Sequence, residues 1–94
     1  MKITITPEMW RQARSDVDGG KPIESHCVIG KVLRDAGCSN IIVGVILVGC
    51  NGPDGKRQLG TMSDTAIDLV DRFTKFKDAP DSPIELELLK GGWI

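Results

Sequence analysis

Eight consecutive residues constrain this chain more than any other stretch: from Ile41 to Val48 it reads Ile-Ile-Val-Gly-Val-Ile-Leu-Val. Laid out as a strand, both of its alternating faces are apolar, and such a strand needs cover on two sides. The other strand-like stretches make no such demand. Ile3 and Ile5 alternate with Lys2, Thr4 and Thr6, while Ile84, Leu86 and Leu88 alternate with Glu85 and Glu87, so each suits a sheet with one wet face. Three short helices can cover one face of a small sheet. Either Ile42, Ile46 and Val48, or Ile41, Val43, Val45 and Leu47, are then left for another partner. A second copy of the chain is the expected one, with Ile42, Ile46, Val48 and Trp93 as the predicted interface, because exposed aliphatic patches often mark contact surfaces. Trp93 and the tail, or the loop before Ser25, folding across the second face is the alternative within one chain.

The remaining pattern predicts an α+β domain over residues 1–94, ending in a short Gly-Gly-Trp-Ile tail at 91–94. The opening strand runs into Thr6-Pro7-Glu8, a helix start with an N-cap, a proline at the first helical position and an acid at the positive dipole end. Met9, Trp10 and Ala13 form the apolar stripe of this helix, with Ile5 and Trp10 as a hydrophobic staple. The helix is expected to end near Ser15, before the Asp18-Gly19-Gly20-Lys21-Pro22 loop. A second helix, capped by Ser25, carries Val28, Ile29, Val32, Leu33 and Ala36 on one face and stops at Gly37. Gly30 inside it costs about 1 kcal/mol relative to Ala, which implies a close approach, expected to be to a strand. The Ile41–Val48 strand and a weaker one around residues 57–61 flank Cys50-Asn51-Gly52-Pro53-Asp54-Gly55, a hairpin signal. Ser63 caps a third helix with Ala66, Ile67, Val70 and Phe73 inward. The predicted order is β-α-α-β-β-α-β: a small antiparallel or mixed sheet of about four strands with helices mainly on one face.

Charge and cysteine usage narrow the class of function. Twelve Lys and Arg against thirteen Asp and Glu leave a net charge of −1, which offers no global attraction for nucleic acid or an anionic membrane. No apolar run approaches the ~20 residues of a membrane span, and no signal peptide opens the chain. Three cysteines with no close pairing fit free thiols in a cytoplasmic setting.

No catalytic or metal constellation assembles from the sequence, and no cofactor is expected. His26 and Cys27 are adjacent on a helix and point about 100° apart, so they do not form a nucleophile–base pair. Cys27 near a helix N-terminus could carry a lowered pKa, but a buried structural cysteine is the expected role. His26, Cys27, Cys38 and Cys50 lack the short knuckle spacing of structural zinc sites. Gly49, Gly52, Gly55 and Lys56 do not match a phosphate-binding loop, and the glycines read as a hairpin tip. Asp64, Asp68 and Asp71 on one helix face, and Glu85 and Glu87 on one strand face, read as solvated surfaces. One ligand site stands out: Ser25, His26, Lys31, Arg34, Arg11 and Arg14, with Lys21, could converge as an anion-binding rim around the second helix.

The stretch Cys27-Val28-Ile29-Gly30-Lys31-Val32-Leu33-Arg34-Asp35-Ala36-Gly37, followed by Ile42-Val43-Gly44, resembles small uncharacterised proteins of tailed bacteriophages and prophages. The departures are Val28 where that pattern has Pro, Gly30 where it has Ala, and Thr74 after Phe73. The resemblance implies a phage or prophage origin and carries no activity. It leads to an expectation of a non-enzymatic phage accessory protein in the host cytoplasm that inhibits a host or defence protein by binding it. The alternatives are a sequesterer of a small anionic nucleotide signal at the basic rim, and a DNA-binding regulator, disfavoured for want of a basic recognition helix.

Overall fold

A computed structural model describes residues 1–76 and 78–94 of the chain. The elements are β1 (Lys2–Ile5), α1 (Pro7–Asp18), α2 (Ile23–His26), α3 (Val28–Asp35), β2 (Ser39–Val43), β3 (Leu47–Asn51), β4 (Arg57–Thr61), α4 (Asp64–Lys75) and β5 (Ile84–Glu87). The α+β class holds, and the strands divide between two antiparallel sheets, β1-β5 and β2-β3-β4.

The β1-β5 sheet joins the chain's two ends, with Ile3 opposite Leu86 and Thr4 opposite Glu85. Period-2 alternation turns Ile3, Ile5 and Leu86 inward and leaves Lys2, Thr4, Glu85 and Glu87 in water. Thr6 caps α1, its Oγ1 accepting the Met9 amide at 3.1 Å. Trp10 is thereby fixed in the core, edge-on to Phe73 of α4 with ring centroids 5.2 Å apart. Ser63 caps α4 in the same way through the Ala66 amide, and places Ala66, Leu69 and Phe73 inward. The helix α1 runs one turn past the expected end at Ser15, to Asp18.

The second predicted helix is two. The short α2 ends at His26, the chain turns at Cys27, and α3 starts at Val28 with Cys27 rather than Ser25 as its N-cap residue. Gly30 lies where the two helices meet. A Cβ there would fall 2.8 Å from the Ser25 carbonyl carbon, so the close approach that Gly30 permits is to α2 and not to a strand. Val28, Ile29 and Leu33 are buried as predicted, Val32 is half-buried, and Ala36 is exposed. At the far end, Gly37 takes φ +94 and closes α3: its amide donates to the Arg34 carbonyl, and the Cys38 amide to the Leu33 carbonyl. This stop turns the chain directly into β2.

The Ile41–Val48 run does not form one strand. It folds into a hairpin in which Gly44, Val45 and Ile46 make the turn and the Gly44 amide donates to the Leu47 carbonyl at 2.8 Å. The turn resets the alternation, so Val43 faces Val48 across the ladder and both point inward. Val48, expected beside Ile42 and Ile46 at an interface, is fully buried and belongs to the core. The predicted hairpin between β3 and β4 is present, with Asp54 Oδ1 accepting the Lys56 amide at its tip.

The C-terminal segment ties the two sheets together. Ser63 and Leu88 share a backbone hydrogen bond, Lys90 bonds to Thr61, and the Ile94 amide donates to the Leu59 carbonyl at 2.7 Å. Trp93 is half-buried against the core beside Gly60. Its ring therefore serves in part as cover within the chain.

Candidate functional site

Two surface features stand out, and both belong to the three-stranded sheet. The first is its outer face. Register places Ile42, Gly49 and Leu59 in one row, Leu47 and Thr61 in the next, and Asn51 and Arg57 in a third. Ile42, Leu47 and Leu59 are 56%, 47% and 43% exposed, and the adjoining turn adds Val45 and Ile46 at 83% and 54%. Val45 lies toward α4, beside Ile67 and Val70, and the other four, Ile42, Ile46, Leu47 and Leu59, form a patch of the kind that marks a contact surface. Arg57 is the only charged residue in these rows.

The second feature is a groove of about 560 Å³ where α2 and the end of α3 meet β2, lined by Ser25, His26, Arg34, Cys38, Ser39, Asn40, Ile41, Ile42 and Arg57. Its two guanidinium groups arrive from opposite sides. Arg34, in the last turn of α3, donates from Nη2 to the Ser25 carbonyl, which α2 presents across the Gly30 contact. Arg57 comes from β4 and lies across Gly49, where the missing side chain leaves room: its Nη2 is 3.0 Å from where a Cβ would stand. Arg57 Nη1 then donates to the Asn40 carbonyl at 2.7 Å and to Asn51 Oδ1 at 3.5 Å.

Asn40 makes this geometry. It takes φ +48, a left-handed conformation that asparagine tolerates better than most residues, at an irregularity in the β2–β3 register between Ser39 and Ile42. The resulting kink aims its carbonyl at Arg57. On the α2 side, Ser25 Oγ and His26 Nδ1 share a 2.9 Å hydrogen bond, and the imidazole also lies 3.3 Å from the Pro22 carbonyl.

Of the predicted rim, Ser25, His26 and Arg34 come together in the groove, and Lys31, Arg11 and Arg14 do not. Lys31 pairs with Asp35 at 3.1 Å on the outside of α3. Arg14 is structural: it caps the Phe73 ring at 4.2 Å, donates to the Phe73 carbonyl and approaches Asp18 at 3.6 Å. Arg11 is exposed on α1 and takes no part. Lys21 reaches Asp16 at 3.8 Å. Sequence reasoning missed Arg57, Ser39 and Asn40. Arg57 is remote in sequence from α2, and only the β2-β3-β4 order carries it across to the groove.

The cysteines are core groups. Burial pushes the Cys27 thiol above its ordinary value, outweighing the opposite pull of the Gly30 and Ile29 amides, the Cys27 backbone and the Arg34 charge. The lowered pKa considered for a cysteine at a helix N-terminus is not what this environment produces. Cys50 is pushed up to about 11, first by burial and then by the adjacent Cys38 thiol, against the pull of Arg57. Among the described residues no three His, Cys, Asp or Glu side chains gather as a metal site, and no helix is long and apolar enough to cross a membrane.

No family model matches this chain, and no curated protein or solved structure matches it.

Proposed function

We propose that this is a non-enzymatic binding protein that works by laying the outer face of its three-stranded sheet on a partner protein, as a phage accessory protein inhibiting a bacterial host or defence protein would. The observation that carries the reading is the exposure of Ile42, Ile46, Leu47 and Leu59 on one sheet and its hairpin tip. Burying such side chains contributes roughly 25 cal/mol per Å² of apolar surface, and a flat aliphatic ledge beside a cation fits a partner with an apolar patch and a neighbouring carboxylate. The phage-like order of motifs supports the choice of a bacterial partner and of the host cytoplasm as the place of action.

Charge favours a different protein over a second copy. Arg57 is the only charged residue in the outer rows, so a second copy using the same face brings no carboxylate to meet it. Affinity capture from bacterial lysate, run in parallel with Leu59→Glu and with Lys2→Glu on the opposite sheet, tests the reading. A protein retained by the wild type and by Lys2→Glu but lost with Leu59→Glu is the expected result. Capture that is indifferent to Leu59→Glu rejects the face, and a concentration-dependent dimer in light scattering that Leu59→Glu abolishes assigns it to a second copy.

A further inference from the structure

We propose that the groove between α2, the end of α3 and β2 is a binding site for a small phosphate monoester about the size of a mononucleotide, held by Arg34 and Arg57. Arg57 and Ile42 border both surfaces, but the inference rests on the two guanidiniums in the groove and not on the aliphatic side chains of the sheet face.

The two guanidiniums are held in place without losing their charge. Both are anchored to neutral acceptors, Arg34 to the Ser25 carbonyl and Arg57 to the Asn40 carbonyl and the Asn51 amide oxygen. Among the described residues neither has a carboxylate within ion-pair distance, and no Asp or Glu lines the groove. Most other cations described have been given one: Lys2, Arg14, Lys21, Lys31 and Lys75 all sit beside carboxylates. Carbonyl anchors fix position and leave the charge intact. An arginine has five N–H donors, so each guanidinium keeps free donors after its anchoring bonds. Two fixed, unneutralised forks in one concavity are suited to the oxygens of a dianionic phosphate.

The remaining lining is consistent with that occupant. The hydroxyls of Ser25 and Ser39, the Asn40 side-chain amide and the His26 ring add polar groups along the walls, and Ile42 adds an apolar one. The left-handed backbone at Asn40, at the register irregularity of β2, delivers the carbonyl that anchors Arg57, which is the use expected of backbone strain kept at a binding site. A volume near 560 Å³ lies within the range of small-ligand pockets and admits more than a bare phosphate.

Titrations of the full chain followed by backbone and arginine side-chain amide NMR, with inorganic phosphate, AMP, adenosine and a phosphoserine peptide as probes, test the assignment. The expected result is saturable shifts at Arg34, Ser39, Asn40 and Arg57 with AMP and, more weakly, with phosphate, and none with adenosine. Ser39→Asp, which puts a carboxylate at an exposed wall position and removes no hydrogen bond, and Arg57→Gln should each weaken AMP by about tenfold or more with the thermal melt preserved. Added salt should weaken it further. The proposal is overturned by an absence of shifts at millimolar phosphate and AMP, by adenosine binding as well as AMP, or by AMP affinity that Ser39→Asp leaves unchanged. A phosphoserine peptide binding more tightly than AMP overturns the small-molecule occupant and gives the groove to a phosphorylated protein. None of these results bears on Leu59→Glu, so failure here and failure of the sheet-face reading are separable.

Discussion

The two sheets of this protein are finished to different degrees. The outer side of β1-β5 carries Lys2, Thr4, Glu85 and Glu87, cross-linked by a Lys2–Glu85 pair at 3.3 Å and a bond from the N-terminal amine to Glu87 at 2.9 Å. The outer side of β2-β3-β4 carries Ile42, Leu47 and Leu59 with one unneutralised arginine. Inside, the sheets are equivalent: Ile3, Ile5 and Leu86 on one side and Ile41, Val43, Val48 and Cys50 on the other close on one shared core. A protein stable enough to bury both inner faces has no folding reason to leave aliphatic side chains on one outer face. That contrast separates residues that hold the fold from residues left available for contact.

The contrast is sharpest at neighbouring positions of one strand. Val48→Glu places a carboxylate in the core with no partner, which costs several kcal/mol, so the chain should lose its cooperative urea transition. Leu47→Glu, one residue earlier and facing outward, should leave that transition within about 1 kcal/mol of wild type. If both variants unfold, the outer face is part of the core in solution and the distinction between the two sheets fails. Trp10→Ala, which removes the largest side chain of the shared core, should cost about 3–5 kcal/mol by the same measurement.

Gly30→Ala probes the joint that carries the groove. Helix propensity alone would favour alanine by about 1 kcal/mol, yet the added methyl meets the Ser25 backbone of α2. A net loss of roughly 1–3 kcal/mol is expected, with NMR shifts at Ser25 and Arg34, because backbone yields less readily than a side-chain tip. A gain in stability would show that α2 does not press on α3.

Alkali should weaken the fold at the cysteines. A thiol whose folded pKa is raised favours the neutral form, so its contribution is complete below its ordinary value of 9.0 and is lost as pH rises toward about 11, the Cys50 value. Burial shifts Cys27 in the same direction. Thermal melts across this range should fall more for the wild type than for Cys50→Ala, each measured relative to its own melt at neutral pH. The smallest effect is expected on the finished sheet, where Lys2→Ala removes an exposed ion pair and should change stability by no more than about 0.5 kcal/mol.

Several features were legible in the residues themselves because they are local. The Thr6 and Ser63 caps, the Gly37 stop, the half-exposed strands at each end and the turn before Lys56 all follow from chemistry within a few positions. The Ile41–Val48 run was misread as one strand because Gly44 was its only turn signal, and strong β-formers on either side masked it. The second helix was misread as continuous because the break at Cys27 carries neither Gly nor Pro, and because what drives it is the packing of α2 against Gly30.

The candidate groove divides in the same way. Ser25, His26 and Arg34 lie within ten positions of one another, and their convergence could be anticipated from the helix around them. Arg57, Ser39 and Asn40 could not, because their place depends on strand order, on a register irregularity and on a guanidinium crossing a glycine in the middle strand. Local pattern determined the class of fold, the starts of α1 and α4, the stop of α3 and which residues are apolar enough to be buried. Tertiary structure alone decided which apolar residues were turned to water and brought Arg34 and Arg57 into one groove whose lining holds no carboxylate. Both depend on contacts between segments distant in sequence, whose geometry is set only when the core closes.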